Sequence, residues 1–545
     1  MKTYTVHSDY HAFSNSIIDK LNISDFVNIS KYPVKDAWIN LGGWQSWNPG
    51  FEIPPQKKQP SLTCRMIKGW NQYLVFPNST FKPDSNTVLA QFVTYLRWDD
   101  FYLVFASVGN IARTLPPVQF IFDRSSNIVT VEICDKGNDW RRDDITAQIE
   151  IFTAESFFEC KDKLREIFGG LQFSSISALG KTPAGWESWY NHYANINEKL
   201  IIEDLAALTQ TENIISSGKY SSKIFQIDDG WEQALGDWQT RSDRFPAGFK
   251  PIVEKIEDVG FIPGLWIAPF IIDSRSKTAT EHPDWLLRDE RQKLITAGYN
   301  PLWGKNGSFY CLDLSNDSVL NHLDNLMKTI IDDWGFRYIK LDFLYAGMLM
   351  GDYATPTASY KIYNRALKTI TSRLKNSSGK PVFYLGCGVP FELSFKYLPL
   401  SRIGCDTYEH WTNKLARMLN WNGRNEAYLN LKDTLGHALW DGTIFANDPD
   451  VIFIRSENCS LTQEEKLLIA KTNSLFGSQF MYSDDPGKSG PAEHSLEHQF
   501  LEFREKIAGK EFGLTQIQED IFKIFDKEKT MEGTINLRSR HADLR

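Results

Sequence analysis

Several sequence features that would indicate particular classes of protein are scarce in this chain. Its 545 residues include only seven cysteines, and no two of them form a CxxC pair. This spacing argues against zinc ribbons and redox dithiols, and it favours free thiols in a reducing compartment.

Long apolar runs and basic runs are also missing. No stretch approaches the roughly 18 consecutive apolar residues that indicate a membrane span. The opening residues MKTYTVHSDYHAFSNS lack the apolar region of a signal peptide. A formal charge of −8 without a basic run argues against nucleic acid as a main partner. We therefore expect a cytoplasmic protein with neither a membrane nor a nucleic-acid partner.

The composition is that of an ordinary globular chain, with 42% apolar and 23% charged residues. A chain of 545 residues is too long for one small core, so two or three domains are expected. Aromatic residues are abundant, with 17 Trp, 21 Tyr and 35 Phe. Such side chains suit carbohydrate surfaces, although large cores use them too.

The two ends of the chain show strand patterning. Short runs with period-2 alternation at 101–109, 117–124, 128–136 and 145–153 predict an antiparallel β-sandwich over residues 1–175, which a helical stretch at 155–171 closes. After residue 510 the segments FKIFDKEK and TINLRS again indicate strands, so we expect a small β-rich domain over 511–545.

Between these ends, strand, loop and helix patterns alternate. Eight such units within residues 176–510 match the size of a (β/α)8 TIM barrel. An open doubly wound sheet is the alternative, but no GxGxxG turn follows the first strand. The predicted strands are 184–190, 223–229, 262–270, 336–343, 381–388, 401–406, 443–450 and 478–485.

The fourth strand, YIKLDF, carries charge inside an apolar pattern. Because side chains alternate along a strand, Tyr338, Lys340 and Asp342 share one face. Unpaired buried charge costs several kcal/mol, so the two charged groups must be compensated or must meet a ligand. A structural Lys–Asp bridge at the strand end is the alternative.

Charged and aromatic residues recur at the ends of the predicted strands, and active sites of barrels form there. For Asp450 and Asp485, a helix N-cap role is the alternative. Convergence of so many groups at one rim favours a site. The residues are Trp189, Tyr190, Asp228, Asp229, Trp266, Lys340, Asp342, Cys387, Arg402, Asp406, Asp448, Asp450, Asp484 and Asp485.

Paired carboxylates without a histidine cluster indicate glycoside hydrolysis, which needs one nucleophilic carboxylate and one proton donor. Lys340 would hold Asp342 ionised, while Asp406 follows the apolar SRIGC and keeps a proton more easily. A metal hydrolase is the alternative, but only His192 lies near a strand end. We expect neither a metal nor a cofactor.

Six motifs, in order, resemble those of the α-galactosidases of glycoside hydrolase family 36, most closely the shorter bacterial and archaeal members. The resemblance extends from WQSW at 44–47 to SDD at 483–485. The motifs are GWESWYNHY, FQIDDGW, GLWIAPF, YIKLDF, GCG and RIGCDT.

The resemblance implies a retaining α-galactosidase that removes terminal α-linked galactose from melibiose- or raffinose-type substrates through a covalent intermediate. By this resemblance Asp342 is the nucleophile and Asp406 the acid/base. Asp228 and Asp229 bind the galactose hydroxyls at C4 and C6.

The resemblance assigns further residues to the sugar pocket. Lys340 and Arg402 hold hydroxyls nearer the reacting carbon, Trp266 packs on the sugar, and Cys387 lines the pocket. Trp189 and Tyr190 complete the predicted rim. For Cys387, a small buried apolar role is the alternative.

The N-terminal motif WQSW contributes the remaining predicted site residue. Gly42–Gly43 and Pro49–Gly50 bracket it and indicate a loop. The resemblance implies that Trp47 enters the sugar pocket. Burial of Trp44 and Trp47 in the sandwich core is the alternative.

Two residues depart from the expected pattern, Glu187 and Cys405. Glu187 shares a strand face with Trp189, so it either adds a carboxylate to the rim or is solvated or bridged. A galactosyltransferase of raffinose-synthase type and a catalytically silent sugar-binding protein remain as alternative functions. The sequence leaves the oligomeric state open.

Overall fold

The structure is a computed structural model. It describes residues 2–7, 16–60, 84, 86–133, 146–169, 177–180, 182–300, 303, 307–414 and 425–545. Among the cysteines, Cys64 and Cys134 lie outside this part of the chain, as do the ends of the predicted segments at 134–136, 145 and 170–171.

Two antiparallel sheets form the N-terminal region, and their facing apolar residues, among them Phe105, Phe120 and Ile149, build a separate core. In spatial order the six-stranded sheet contains Lys2–His7, Thr146–Ala154, Phe101–Ser107, Val93–Trp98, Trp38–Asn40 and Glu52–Ile53. The four-stranded sheet contains Ser16–Asn22, Ile128–Ile133, Val118–Asp123 and Thr87–Gln91. The predicted β-sandwich is confirmed.

A helix, Phe157–Phe168, connects the sandwich to the barrel, and Ser156 caps it by accepting a hydrogen bond from Glu159 N. Its buried residues, including Cys160 and Leu164, belong to the same apolar core as the barrel.

The central parallel sheet closes into a barrel of eight strands. Its nine segments make eight strands because the seventh is split, and the two pieces pair with the sixth and the eighth strand respectively. Pro449, which has no N–H donor, and Asp450, with φ of 74°, separate the pieces. The barrel strands, numbered 1 to 8, are Pro183–Glu187, Ser222–Ile227, Ile262–Ile267, Tyr338–Leu341, Phe383–Gly386, Leu400–Arg402, Ala446–Asp448 with Val451–Ile452, and Phe480–Tyr482.

A helix follows each barrel strand before the next strand begins. The third continues as a π-helix, Thr329–Trp334, and the seventh begins with the predicted capping box between Thr462 and Glu465. In order, these helices are Glu198–Gln210, Lys250–Asp258, Asp317–Lys328, Ser359–Ile370, Phe391–Ser394, Ala427–Gly436, Gln463–Phe476 and Pro491–Ile507. The (β/α)8 barrel is confirmed.

Smaller elements lie in the loops of the barrel and of the N-terminal region. A hairpin of Glu232–Ala234 and Asp237–Thr240 follows strand 2, and a three-stranded sheet of Ile271–Ile272, Thr296–Tyr299 and Ser308–Cys311 follows strand 3. Short helical turns are Ile23–Asp25, Val34–Asp36, Gly109–Ala112, Ser177–Leu179, Trp189–His192, Ile214–Ser217, Lys277–Glu281, Pro283–Trp285 and Leu344–Met348.

A four-stranded antiparallel sheet ends the chain, as predicted for a β-rich C-terminal region. Its strands are Phe512–Gln518, Ile521–Asp526, Glu532–Asn536 and His541–Leu544. The boundaries 1–175, 176–510 and 511–545 remain predictions. Within the described residues, no helix is long and apolar enough to cross a membrane.

Buried polar contacts fix the sandwich to the barrel. Ser107 Oγ donates to Glu392 Oε1 at 2.5 Å, and Gly50 N donates to Asp433 Oδ1 at 2.9 Å. His437 Nε2 lies 2.9 Å from Gly42 O. Because these contacts surround the loop that carries WQSW, they position that loop against the barrel.

Candidate active site

A pocket of about 450 Å³ lies at the C-terminal ends of the barrel strands. Ten of the fifteen predicted site residues line it. These are Trp47, Trp189, Tyr190, Asp228, Asp229, Trp266, Lys340, Asp342, Asp406 and Asp450. Cys387 and Arg402 are 1% and 2% exposed and lie behind the pocket surface. Outside the lining are also Asp448, Asp484 and Asp485.

The WQSW loop reaches the pocket by pairing with the segment after strand 5. Ser46 N donates to Val389 O at 3.2 Å, and Val389 N donates to Ser46 Oγ at 3.0 Å. Trp44 is buried in the core that contains the barrel residues and not in the separate core of the sandwich, whereas Trp47 lines the pocket. Gly388, with φ of 56°, allows the close approach, since a Cβ there would lie 2.9 Å from Trp47 Cη2.

Asp342 directly follows strand 4, and N–H groups hold its carboxylate. Trp266 Nε1 donates to Oδ2 at 3.0 Å, and Phe343 N donates to Oδ1 at 2.7 Å. Trp266 therefore orients Asp342 in addition to lining the pocket. Phe343 has a positive φ of 54°, which turns the chain sharply after the strand.

Lys340 is not the cation that holds Asp342. In the described part of the chain its ion pairs are with Asp228 Oδ2 at 2.9 Å and Glu187 Oε2 at 3.5 Å, so the expected Lys340–Asp342 pair is wrong. Gln226 Nε2 also bridges these two carboxylates, at 2.7 and 3.0 Å. Closure of the barrel brings strands 1, 2 and 4 together here.

Glu187 is thus buried and bridged rather than solvated. It is 2% exposed, and among the residues that the structure describes its Oε1 atom has no hydrogen-bond partner. Burial and the nearby carboxylates raise the pKa of Glu187 to about 8, while Lys340 opposes the shift. If Glu187 is protonated, Asp228 is the main carboxylate that compensates the positive charge of Lys340.

Asp229 occupies a different environment from Asp228. Trp303 Nε1 donates to Asp229 Oδ2 at 2.8 Å. Burial and the charge of Glu232 raise the pKa of Asp229 well above its ordinary value. Asp228 is ion-paired with Lys340, whereas Asp229 accepts a hydrogen bond from Trp303 and lies close to the carboxyl group of Glu232.

Asp406 lies four residues beyond strand 6. Arg402 Nη1 donates to its Oδ1 at 3.1 Å and Asn425 Nδ2 to its Oδ2 at 2.9 Å. Its side chain remains 32% exposed, so solvent and a leaving group can reach it. Partial desolvation and the charge of Asp450 raise the pKa of Asp406, and Arg402 opposes this shift.

Arg402 compensates several carboxylates at once. Beyond Asp406, it pairs with Asp448 at 2.8 Å and with Asp450 at 2.7 Å. Tyr190 OH also donates to Asp450, at 3.1 Å. Asp450 is therefore a pocket residue and no helix N-cap. Asp485 is likewise no cap, because its carboxylate accepts from Gly487 N within a turn.

The two cysteines near the candidate site, Cys387 and Cys405, are buried thiols. Burial and the charge of Asp342 raise the pKa of Cys387 well above its ordinary value, and burial does the same for Cys405. Both therefore remain protonated. The sugar-binding roles of Cys387 and Arg402 remain predictions.

Trp189 and Tyr190 are not on a strand, as the predicted strand 184–190 implied. Strand 1 ends at Glu187, and both residues lie in the short helix Trp189–His192. The chain turns there because Tyr193, with φ of 49°, ends that helix.

Many of the aromatic residues that line the pocket, here called the aromatic wall, could not be predicted because they lie on loops. Trp303 and Phe309 come from the insertion after strand 3, which carries no periodic signal of its own. The unpredicted lining residues are Tyr193, Tyr299, Asn300, Trp303, Phe309, Phe343, Tyr345, Tyr408, Asn413 and Asn425. No group of three or more His, Cys, Asp or Glu residues within the described ranges is arranged to hold a metal ion.

Comparison with known proteins agrees with this geometry. A family model described as Melibiase matches residues 184–375. Alpha-galactosidase 1 of Pediococcus pentosaceus is 30% identical over 127 residues, which cover 22% of this chain and 16% of that protein. Probable alpha-galactosidase C of Aspergillus flavus is 24% identical over 254 residues, covering 44% and 31%. The matched part thus spans less than a third of each of these relatives.

Solved structures match over a far greater length. The α-galactosidase TtGalA of Thermus thermophilus, in complex with stachyose, has 25% identity and a TM-score of 0.68, covering 86% of this chain and 90% of that one. The family 36 α-galactosidase AgaA of Geobacillus stearothermophilus, at 14% identity and a TM-score of 0.59, covers 95% and 68% and shares the fold. The resemblance to the family 36 α-galactosidases is confirmed.

Proposed function

We propose that this protein is a retaining α-galactosidase that releases terminal α-linked galactose through a covalent galactosyl-enzyme intermediate. The observation that carries the proposal is the contrast between two carboxyl groups in one pocket. N–H donors face Asp342, which suits a nucleophile. Asp406 has a raised pKa, which suits a proton donor.

The reaction then proceeds in two displacements. Asp342 attacks the anomeric carbon of galactose, and the bond to the leaving oxygen breaks as Asp406 gives that oxygen its proton. Asp406, now a carboxylate, removes a proton from water, and the water oxygen displaces Asp342. Two inversions give net retention of the α configuration.

The other pocket groups supply binding and specificity. Asp228 and Asp229 follow strand 2, Lys340 lies on strand 4, and strand 3 runs between them. Together they offer polar and charged partners to hydroxyls at C4 and C6. An axial hydroxyl bound by buried charge is strongly distinguished from an equatorial one, because a mismatch leaves that charge unpaired.

The substrate class follows from the relatives. The Thermus thermophilus enzyme has been solved with stachyose and with p-nitrophenyl α-D-galactopyranoside. We infer that this chain acts on small neutral α-galactosides of the melibiose and raffinose type, in the cytoplasm. The solvent-accessible Asp406 favours hydrolysis over transfer to a second sugar.

A panel of p-nitrophenyl α-glycosides tests the activity. We expect kcat/KM for the galactoside to exceed that for the glucoside by about 10⁴-fold, because the pocket charges match only the axial C4 hydroxyl.

Proton NMR during early turnover should show α-galactose first. Early β-galactose would contradict the nucleophile assignment, and binding without turnover would favour a silent sugar-binding protein.

The role of Trp47 is tested with a matched control from the same loop. Trp47→Ala should lower kcat/KM on α-galactosides by about tenfold or more with little change in Tm, because this ring lines the pocket beside Phe343 and Tyr345. Trp44→Ala should instead cost about 3–5 kcal/mol of stability, since Trp44 lies in the core. Loss of Tm with intact kinetics in Trp47→Ala would assign that ring to the core.

A further inference from the structure

Glu187 is the last residue of strand 1, and the proposed reaction gives it no role. Its side chain lines the catalytic pocket although only 2% of the residue is exposed. Glu187 also departs from the pattern of the family that the chain resembles, so no role follows from that resemblance. A buried acid in a sugar pocket therefore needs an explanation from its own contacts.

The contacts of Glu187 are confined to one of its two carboxyl oxygens. Oε2 accepts from Gln226 Nε2 at 3.0 Å and lies 3.5 Å from Lys340 Nζ. Oε1 is buried and has no hydrogen-bond partner among the described residues. Buried polar atoms are nearly always paired, so an unpaired one on a pocket-lining side chain indicates a partner that the ligand supplies.

The distances around Lys340 show which carboxyl group carries the negative charge. Lys340 Nζ lies 2.9 Å from Asp228 Oδ2, closer than its 3.5 Å to Glu187 Oε2. Arg402, a buried cation nearby, is already paired with three other carboxylates. Lys340 is therefore shared by two buried carboxyl groups, and the shorter distance assigns the charge to Asp228 and leaves Glu187 protonated.

The other surroundings of Glu187 also favour its neutral form. Burial and the nearby carboxylates raise the pKa of Glu187 to about 8, while Lys340 opposes the shift. The charged and titratable groups that face Glu187 are Lys340, Asp228, Asp450, Arg402, Tyr190 and Tyr338. Near neutral pH, Glu187 is thus a carboxylic acid that carries a proton.

A protonated Glu187 can donate a hydrogen bond, whereas an ionised Asp228 can only accept. A sugar hydroxyl does both, so it can donate to Asp228 and accept from Glu187 at the same time. Gln226 Nε2 already bridges the two carboxyl groups, at 2.7 Å and 3.0 Å, which shows that one small polar group can contact both.

We propose that Glu187 is a further substrate-binding residue, which donates a hydrogen bond as a neutral carboxylic acid to the galactose hydroxyl that Asp228 also binds. This inference rests on the proposed function. It deepens that function by adding a donor to the recognition of the hydroxyl at C4 or C6, the two positions assigned to Asp228 and Asp229.

Two variants test the hydrogen bond. Glu187→Leu removes the donor, and Glu187→Gln is the matched conservative variant, because its amide is of similar size and can donate in place of the acid. We expect Glu187→Leu to lower kcat/KM for p-nitrophenyl α-galactoside by about tenfold, and Glu187→Gln to recover most of that loss. Equal losses in the two variants, or no loss in Glu187→Leu, would overturn the proposal.

Deoxy substrates distinguish binding of a hydroxyl from a merely structural role. On one of the 4-deoxy and 6-deoxy galactosides, the difference between wild type and Glu187→Leu should shrink to about twofold or less, because the hydroxyl that Glu187 holds is missing. On the 2-deoxy galactoside the difference should persist. A loss of the same size on all three substrates would assign a structural role to Glu187 and refute the inference.

Infrared spectroscopy tests the protonated state of Glu187 without catalysis. At neutral pH, the difference spectrum between wild type and Glu187→Gln should contain the C=O stretch of a protonated carboxyl group. A carboxylate band in its place would exclude the donor role. This measurement decides the question even where Glu187→Leu does not fold.

Titration calorimetry with galactose separates this inference from the proposed function. If the wild type hydrolyses no α-galactoside, the proposed function fails, and the calorimetry decides the remaining question. Binding that Glu187→Leu weakens and Glu187→Gln recovers would sustain Glu187 as a sugar-binding residue. Absence of galactose binding by the wild type, or equal binding by all three proteins, would refute it.

Discussion

Asp342→Gly should lower kcat on α-galactosides by about 10⁴-fold or more, because removal of a nucleophile abolishes the covalent route. The protein should remain folded, since Asp342 follows the end of strand 4 and is ion-paired to no lysine or arginine among the described residues. Its partners, Trp266 Nε1 and Phe343 N, can bond to water once the carboxylate is gone. Circular dichroism and Tm establish folding, and initial rates on p-nitrophenyl α-galactoside give the loss.

Azide should restore part of the activity of Asp342→Gly. The missing carboxylate leaves space on the β face of the sugar, where the small anion can attack the anomeric carbon. The product should be β-galactosyl azide, which NMR identifies. Asp342→Asn is the matched control, because the amide fills the same space and should block rescue. Substantial residual activity in Asp342→Gly, or formation of the α-azide, would remove Asp342 from the nucleophile role.

The barrel could be predicted because each of its strands is a short apolar run followed by a helical pattern. The positions at which the strands end were harder to predict. Strand 7 was predicted to be continuous over 443–450, but it is split at Pro449–Asp450, so that one piece pairs with strand 6 and the other with strand 8. That division reflects barrel closure, which no local pattern records.

The ion pairs of the candidate site could not be predicted from the local sequence pattern either. Alternation correctly put Lys340 and Asp342 on one face, but proximity along a strand suggested the wrong partner for Lys340. Its carboxylates come from strands 1 and 2, across the barrel interior. Pairing across a barrel depends on register between distant segments, so a single sequence does not reveal it.

The aromatic wall was the least predictable part. Trp303 holds Asp229 from an insertion that belongs to none of the eight repeating units. Its position depends on the small sheet formed by Thr296–Tyr299 and Ser308–Cys311, whose strands are too short to give a clear period. Loops on a rigid scaffold commonly supply such binding residues.

Asp406→Ala should separate substrates by the quality of their leaving groups. General acid catalysis contributes about 10²–10⁴-fold, and a poor leaving oxygen needs all of it. We therefore expect kcat/KM for melibiose to fall by about 10³-fold. For 2,4-dinitrophenyl α-galactoside, whose leaving oxygen needs no proton, the loss in the first step should be about tenfold or less. Equal losses on both substrates would mean that Asp406 is not the acid.

The pH dependence of the wild type provides an independent check on the same residue. Asp406 must be protonated to donate, and its pKa is raised by desolvation and by Asp450, against the opposing charges of Arg402 and Lys340. Activity on melibiose should therefore persist above the ordinary pKa of a carboxyl group and then fall as pH rises through the raised value. In Asp406→Ala this alkaline decline should vanish for the activated substrate, because no proton donor remains to be lost. A decline that persists unchanged in Asp406→Ala would assign it to another group.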